Sequence, residues 1–217
     1  FIDFGKAYFG TIALKLDENF SDSVIIHIGE KANDYSVDKN PGGTIRYQKI
    51  VLNDLKSNTI IDVKLQPDQR NTTPPAILLH DSFDVVMPFR YCEIENLTIS
   101  PEKIKIYQKI LHYKFNDSAC YFNTSSEILN RILELCKHTV KATTFTGYYI
   151  DGDRERIPYE ADAYINQLSH FCVDTVYSIA KRTIQHFFEY PTWPTEWIFH
   201  TSMLLYHYFL YTGDTSF

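Results

Sequence analysis

"TSSEILNRILELCKHTVKATTF", residues 124–145, contains the change of hydrophobic period that decides the fold. Its apolar residues recur three and four positions apart, at Ile128, Leu129, Ile132, Leu133, Cys136 and Val140. This spacing places them on one face of an α-helix. Thr124 and Glu127 have the spacing of a capping box, in which each side chain bonds a free amide near the other. We therefore predict that a helix opens at Thr124.

The segment before this helix has a different period. Short β-rich runs occur between residues 1 and 113: "AYFGTIALKL" (7–16), "SVIIHIGE" (23–30), "TIRYQKIVL" (44–52), "TIIDVKL" (59–65), "FDVVMPFRYCEIENLTI" (83–99) and "KIKIYQKILHYKF" (103–115). Turn clusters with Pro or Gly separate them, including "DKNPGG" (38–43) and "PDQRNTTPP" (67–75), where we expect neither helix nor strand. Strands without intervening helices must bury their apolar faces on one another. An antiparallel β-sandwich is the predicted result.

Two further helical segments follow residue 145. One is predicted to begin near Pro158, which suits a first helical turn, with a break near Asp174. The other follows "EYPTWPTEW" (189–197) and ends at "TGD" (212–214). It is apolar on nearly every side, so it needs more neighbours than these helices supply. We therefore expect the chain to belong to a longer polypeptide.

Strands followed by helices indicate two domains. We predict a β-sandwich domain at 1–113, a linker at 114–123 and the first part of a helical domain at 124–217. The fold class expected is thus multidomain, β then α.

Composition excludes several classes of protein. The chain has 217 residues, is 44% hydrophobic and carries a net charge of −6, with Lys and Arg scattered, so nucleic acid is not an expected partner. Its most apolar C-terminal run, Trp197 to Tyr211, is shorter than the roughly 20 residues of a membrane span. The four cysteines lack CxxC spacing, so we expect buried thiols and neither a metal site nor a cofactor.

The stretch "DGDRERIPYEAD", residues 151–162, admits two interpretations. In the first, it is a solvated loop whose acidic residues complement the dipole of the following helix. In the second, Asp151, Asp153, Glu155 and Asp162 line a sugar site, and one carboxyl is protonated to act as a general acid. Carboxylates suit sugar hydroxyls because they accept strong charge-assisted hydrogen bonds.

The same stretch resembles the motif of the α-L-rhamnosidases of glycoside hydrolase family 78, which are six-hairpin glycosidases. "EWIFHTSMLLYHYFLYTGD" (196–214) is similar to that family's Trp-initiated helix, and "FIDFGKAYFG", "HIGE", "GGTIRY" and "PFRYCEIENL" are similar to its β-sandwich. The resemblance implies an (α/α)6 toroid, of which residues 124–217 form the first helices, and hydrolysis with inversion. It implies Glu155 as general acid and, as sugar-binding residues, Asp162, Tyr159 in place of the usual Trp, and Trp197.

The sequence departs from the family before the acid. The family's acidic residue lies five or six positions ahead, whereas here Asp151 lies four and Asp153 two positions before Glu155, so either one is a candidate for the sugar hydroxyls. The family's catalytic base comes from a later segment, and no residue of this chain takes that role. Trp193 is either a loop residue packed on the helices or an aromatic wall of the cleft.

The resulting hypothesis is a glycosidase that removes terminal α-L-rhamnose from glycans or glycosides. Its expected partners are a carbohydrate substrate and the rest of its own polypeptide, and its expected location is extracytoplasmic, periplasmic or secreted. The alternatives are a carbohydrate-binding or adhesion protein and a catalytically inactive relative.

Overall fold

The structure, a computed structural model, describes residues 1–217, except for the side chains of Arg70 and Asn71. Contacts divide the chain into two compact units. The first consists of Phe1–Asp68 and His80–Leu111, and the second of Gln69–Leu79 and His112–Phe217. The second unit therefore includes Gln69–Leu79, a short segment that interrupts the first unit in the sequence.

The first unit is built from antiparallel strands. They are β1 (Ile2–Leu16), β2 (Val24–Gly29), β3 (Ala32–Asn33), β4 (Ser36–Val37), β5 (Tyr47–Leu52), β6 (Ile60–Asp62), β7 (Met87–Glu95) and β8 (Ile104–Ile110). Five of the six runs read from the sequence contain one strand each, and the sixth, residues 7–16, lies within β1, which confirms that part of the prediction. The two-residue strands β3 and β4 form a hairpin that the sequence pattern did not indicate.

The strand β1 organises this unit because it pairs with three other strands. The order is β5-β2-β7-β1-β6, and β8 also pairs with β1. Residues 2–10 of β1 pair with β7, whereas residues 10–16 pair with β8 and, in part, with β6. The change occurs at Gly10, where an added Cβ would lie 2.0 Å from the carbonyl oxygen of Lys109. Only glycine allows this close approach of two backbones.

One apolar core lies between these strands. Ile12, Leu14 and Leu16 alternate along β1 and are fully buried, as the two-residue period of a strand requires. They belong to one cluster with the buried side chains Val24, Ile26, Ile28, Met87, Phe89 and Cys92. Burial of each large aliphatic or aromatic side chain contributes about 1.5–3 kcal/mol relative to exposure.

The second unit is helical. Its helices are α1 (Gln69–Thr72), α2 (Glu127–Thr143), α3 (Glu160–Val173), α4 (Ser178–Glu189) and α5 (Phe199–Thr212). The predicted interruption is confirmed, since the backbone of Asp174 is extended between α3 and α4. Gly213 ends α5 in the left-handed conformation, with φ of 67°. Strands followed by helices confirm the predicted fold class.

Two details of the helix prediction were wrong, and the helix start near Pro158 is confirmed, since α3 begins at Glu160. The capping box does not form: α2 begins at Glu127, and the Thr124 hydroxyl accepts the N–H of Ser126 at 3.1 Å, which closes a turn ahead of the helix. The backbone of "PDQRNTTPP" forms the single turn α1, because no proline lies within Gln69–Thr72.

The helices keep a small core and expose much apolar surface. Ala163, Phe171, Ile179, Ala180, Ile184 and Leu204 are buried together. By contrast, the side chains of Ile128 on α2 and Phe199 on α5 are 71% and 74% exposed. The exposure on α5 agrees with the expectation that this helix needs further neighbours. None of the described helices has both the length and the apolar character that a bilayer span requires.

The prediction of buried cysteines is confirmed in part. Cys92 lies in the core of the first unit, where burial raises its pKa to about 12. The prediction was wrong for Cys136 and Cys172, which are exposed on helices, and Cys120 is half-buried. The apolar stripe of α2 that includes Cys136 faces solvent.

Candidate active site

The charged stretch forms a loop that closes on itself before α3. The N–H of Asp151 donates to the carbonyl of Ile157 at 3.0 Å, and the N–H of Ile157 donates to Asp151 Oδ1 at 3.1 Å. Gly152 and Arg156 have φ of 116° and 57°, which lets the chain reverse between them. The carboxylate of Asp151 therefore holds the two ends of the loop together.

A buried ion pair lies inside this loop. Nε and Nη2 of Arg156 donate to Asp153 Oδ1 at 3.0 and 2.8 Å. Their side chains are 5% and 12% exposed, and the guanidinium also lies over the ring of Phe145, 5.0 Å from its centroid. Asp153, which the sequence proposes as a sugar ligand, therefore also holds the loop in its conformation.

The exposed guanidinium of Arg154 lies between two carboxylates. Its Nε is 3.6 Å from Asp151 Oδ2, and its Nη2 is 3.5 Å from Glu155 Oε1. Burial raises the pKa of Asp151 above its ordinary value, and the bond from the Ile157 N–H opposes that rise only in part. Of these two carboxyls, Asp151 is the buried one and Glu155 is 39% exposed.

Tyr159 connects Glu155 to an aromatic surface. The phenol of Tyr159 donates to Glu155 Oε2 at 2.5 Å. Burial, together with this bond, raises the pKa of Tyr159 to about 12, so the phenol stays protonated and remains a donor. The ring of Tyr159 meets Trp197 edge to face, with centroids 5.9 Å apart. The structure thus brings together four of the predicted residues: Asp151, Glu155, Tyr159 and Trp197.

The start of α3 carries two further acidic residues. Asp162 is half-buried in the first turn, and among the described residues no hydrogen bond or ion pair joins it to Glu155. Glu160 is fully buried: Oε1 accepts the N–H of Thr192 at 2.9 Å, and Oε2 accepts its hydroxyl. Sequence reasoning missed Glu160 because a carboxylate among other charges suggests a solvated position.

A buried polar network fixes the segment before the loop. The phenol of Tyr149 lies 2.6 Å from His170 Nδ1, and His170 Nε2 lies 2.8 Å from Asp174 Oδ2. Burial lowers the pKa of His170, although the Asp174 carboxylate opposes this, so the ring is neutral near neutral pH. Tyr149 lies two residues before Asp151. The network therefore ties the entrance of the charged loop to α3.

A cavity of about 850 Å³ opens next to Tyr159. It is lined by Pro74, Pro75, Ala76, Ile77, Leu78, Tyr148, Ile157, Pro158, Tyr159, Arg182, His186, Tyr190, Pro191, Thr192 and Trp193. Its size lies within the range of about 300–1,000 Å³ typical of small-molecule sites. The ring of Trp193 is 84% exposed, and of the two interpretations of this residue the structure supports the aromatic wall.

One wall of the cavity comes from a segment distant in sequence. The N–H of Ile77 donates to the carbonyl of Arg156 at 2.8 Å, which joins residues 74–78 to the charged loop. Sequence reasoning missed this segment, as it missed Arg182 and His186 on α4. No local pattern signals them, because their proximity depends on the tertiary fold.

A possible cation site in the first unit already has a positive charge. His27, Glu93 and Glu95 have ligand atoms within 4.8 Å of one another, the spacing of a metal site among the described residues. However, Lys39 Nζ lies 2.6 Å from Glu95 and 3.2 Å from Glu93. The lysine ammonium neutralises these carboxylates, so the cluster is explained without a metal.

The second unit thus places a carboxylate that accepts a bond from Tyr159 near a cavity with aromatic side chains in its wall. Residues 117–217 match the bacterial α-L-rhamnosidase six-hairpin glycosidase domain. This match and the likeness of fold described next support what the motifs predict, a rhamnosidase-like six-hairpin glycosidase fragment.

The fold of the whole chain is similar to that of a rhamnosidase from Klebsiella oxytoca with rhamnose bound. The TM-score is 0.64 at 14% identity, and the likeness covers 99% of this chain and 44% of the Klebsiella chain. The present chain thus spans less than half the length of that enzyme. A comparison with curated proteins finds no match.

Proposed function

We propose that the full-length protein is a glycoside hydrolase that removes terminal α-L-rhamnose with inversion, and that Glu155 is its general acid. The observation that carries this proposal is the position of the Glu155 carboxyl. It is partly exposed and accepts a 2.5 Å hydrogen bond from the phenol of Tyr159. Tyr159 itself lines the cavity, so a single residue separates Glu155 from it. A ligand that extends from the cavity past Tyr159 would therefore approach the proposed proton donor.

In the proposed reaction Glu155 gives its proton to the glycosidic oxygen as the bond from that oxygen to C1 breaks. A water molecule attacks C1 from the opposite face and loses its proton to a second carboxylate. In inverting enzymes the two carboxyl groups are about 6.5–9.5 Å apart, which leaves room for that water. No residue of this chain is assigned as the second carboxylate.

The remaining residues bind the sugar in this proposal. Asp151, Asp153 and Asp162 accept hydrogen bonds from its hydroxyls, and Tyr159 and Trp197 contact its apolar face. The edge-to-face contact between Tyr159 and Trp197 supports a shared aromatic surface. We further propose an extracytoplasmic location, where glycans and glycosides are met before uptake.

The test is hydrolysis of p-nitrophenyl α-L-rhamnoside by the full-length protein. Because general acid catalysis contributes about 10²–10⁴-fold, Glu155→Gln is expected to lower kcat by that factor. Glu134→Gln on the exposed side of α2 is the matched control and is expected to keep full activity. Proton NMR of the first product, which should be the inverted anomer, tests the stereochemistry.

Two results would reject the proposal. Activity of Glu155→Gln within a few-fold of the unaltered protein would remove Glu155 from the acid role. An unaltered protein that binds rhamnose but hydrolyses none of a panel of aryl glycosides would instead be a carbohydrate-binding protein or an inactive relative.

A further inference from the structure

Arg182 is an exposed residue of α4 that places a positive charge in the wall of the cavity. Its guanidinium stacks on the ring of Tyr148, 4.2 Å from the centroid. Beneath it lies Gly147, where an added Cβ would be 2.9 Å from Nη1 of the arginine. The stacking orients the guanidinium plane, and the glycine leaves the space that the guanidinium occupies. The N–H groups of Arg182 are therefore oriented before a ligand binds.

Among the described residues, no carboxylate forms an ion pair with Arg182. Lys141, Arg154, Arg156 and Lys181 of the same unit do form ion pairs, whereas Lys114, Arg131 and Lys137 do not, but of these three none lines the cavity. The described residues that line the cavity include no Asp or Glu. The whole chain, by contrast, carries a net charge of −6. The nearest carboxylates lie behind the wall: Glu160 is held by Thr192, and Glu189 acts on His186. The charge that faces the cavity is therefore that of Arg182, which favours an anionic ligand.

The other lining groups suit a sugar ring that carries this anion. Tyr148, His186 and Tyr190 form a continuous aromatic series, with centroids 5.6 and 5.1 Å apart. Burial lowers the pKa of His186, so its ring is neutral near neutral pH and does not add to the charge. Pyranose rings present C–H faces to aromatic and proline surfaces and present hydroxyls to polar groups. The cavity offers both kinds of contact.

We propose that this cavity binds the leaving-group sugar and that Arg182 pairs with a carboxylate on that sugar. The inference rests on the proposed function. Rhamnose has no ionisable group, so the carboxylate must belong to the leaving group. The general acid protonates the oxygen that joins the two sugars, and Tyr159 both bonds Glu155 and lines the cavity. The preferred substrates are therefore rhamnosyl uronates, as found in acidic polysaccharides.

The test compares two disaccharides of the same linkage: α-L-rhamnosyl glucuronate and its carboxyl-reduced counterpart, rhamnosyl glucose. The full-length protein is expected to show a kcat/KM about tenfold or more higher for the uronate, the contribution of one charge-assisted bond. Arg182→Gln should remove this preference and leave the neutral substrate within about threefold. Arg182→Lys should keep part of the preference for the uronate. Added salt should weaken that preference in the unaltered protein.

Lys181→Gln is the matched control. It removes one positive charge from the neighbouring position of α4, but Lys181 pairs with Asp214 and does not line the cavity. This variant is expected to keep the preference. Circular dichroism of each variant shows whether it is folded, and Arg182→Lys provides a second comparison if Arg182→Gln is not.

Failure of the inference is distinguishable from failure of the proposed function. Hydrolysis of both disaccharides at equal rates, or a preference that survives Arg182→Gln, overturns the carboxylate site and leaves the rhamnosidase intact. If neither disaccharide is hydrolysed, calorimetric titration with glucuronate decides the inference. Binding that Arg182→Gln abolishes supports the site, and absent or unchanged binding overturns it.

Discussion

Asp153→Asn tests whether the ion pair with Arg156 holds the charged loop. The amide keeps the shape of the carboxylate but carries no charge, so the Arg156 guanidinium, which is 5% exposed, loses the charged oxygen that accepts from its Nε and Nη2. Breaking a buried pair from one side costs about 3–5 kcal/mol. Both hydrogen bonds from Arg156 end on the same oxygen of Asp153, and the Asp153 side chain is 12% exposed. We therefore expect a loss at the lower end of this range, about 3 kcal/mol of the free energy of unfolding.

Urea unfolding followed by tryptophan fluorescence measures this loss. The two tryptophans of the chain, Trp193 and Trp197, both lie in the same unit as the loop, so their emission reports its unfolding. Arg154→Gln is the control in the same loop. Its side chain is 62% exposed and its contacts are 3.5–3.6 Å, so we expect less than about 1 kcal/mol.

The reasoning about burial would be refuted by either of two outcomes. The first is a loss of less than about 1 kcal/mol in Asp153→Asn, and the second is a loss in Arg154→Gln as large as that in Asp153→Asn. A stable Asp153→Asn variant with a raised KM would instead leave sugar binding as the main role of this carboxylate. The experiment thus separates the two roles proposed for Asp153.

Three further variants test other parts of the structure. Because burial raises the pKa of Asp151, the folded state loses stability as the pH rises from 3.8 through the raised value. Asp151→Asn, which does not titrate, should therefore gain stability relative to the unaltered protein over that pH range in urea unfolding, and a pH-independent difference would contradict this. Gly10→Ala should cost about 2 kcal/mol or more, since its Cβ would meet the Lys109 carbonyl at 2.0 Å; a loss under about 0.5 kcal/mol would show that the strands separate freely. Trp193→Ala removes a ring that is 84% exposed, so the melting temperature should hardly change while KM rises, and an unchanged KM would place the ring outside the substrate site.

The sequence by itself determined the order and type of the elements. The two-residue alternation of Ile12, Leu14 and Leu16 predicts a strand that buries one face, and these residues are fully buried in β1. The spacing of apolar residues after Thr124 predicts a helix, which forms as α2. Such periods are local, because a strand or helix must present its apolar side chains to one side. The motif of the charged loop likewise gave the glycosidase class.

Only the tertiary structure decided which side chains meet. Arg156 pairs with Asp153, Tyr159 with Glu155, and the backbone of Ile77 joins the loop from 79 positions away. Arg182 reaches the same cavity from α4. These contacts have no period in the sequence, since they depend on how elements far apart in the chain pack and on which charged groups that packing removes from water. The sequence alone suggests that Asp153 and Glu160 are solvated carboxylates. The tertiary structure instead removes both from most contact with water.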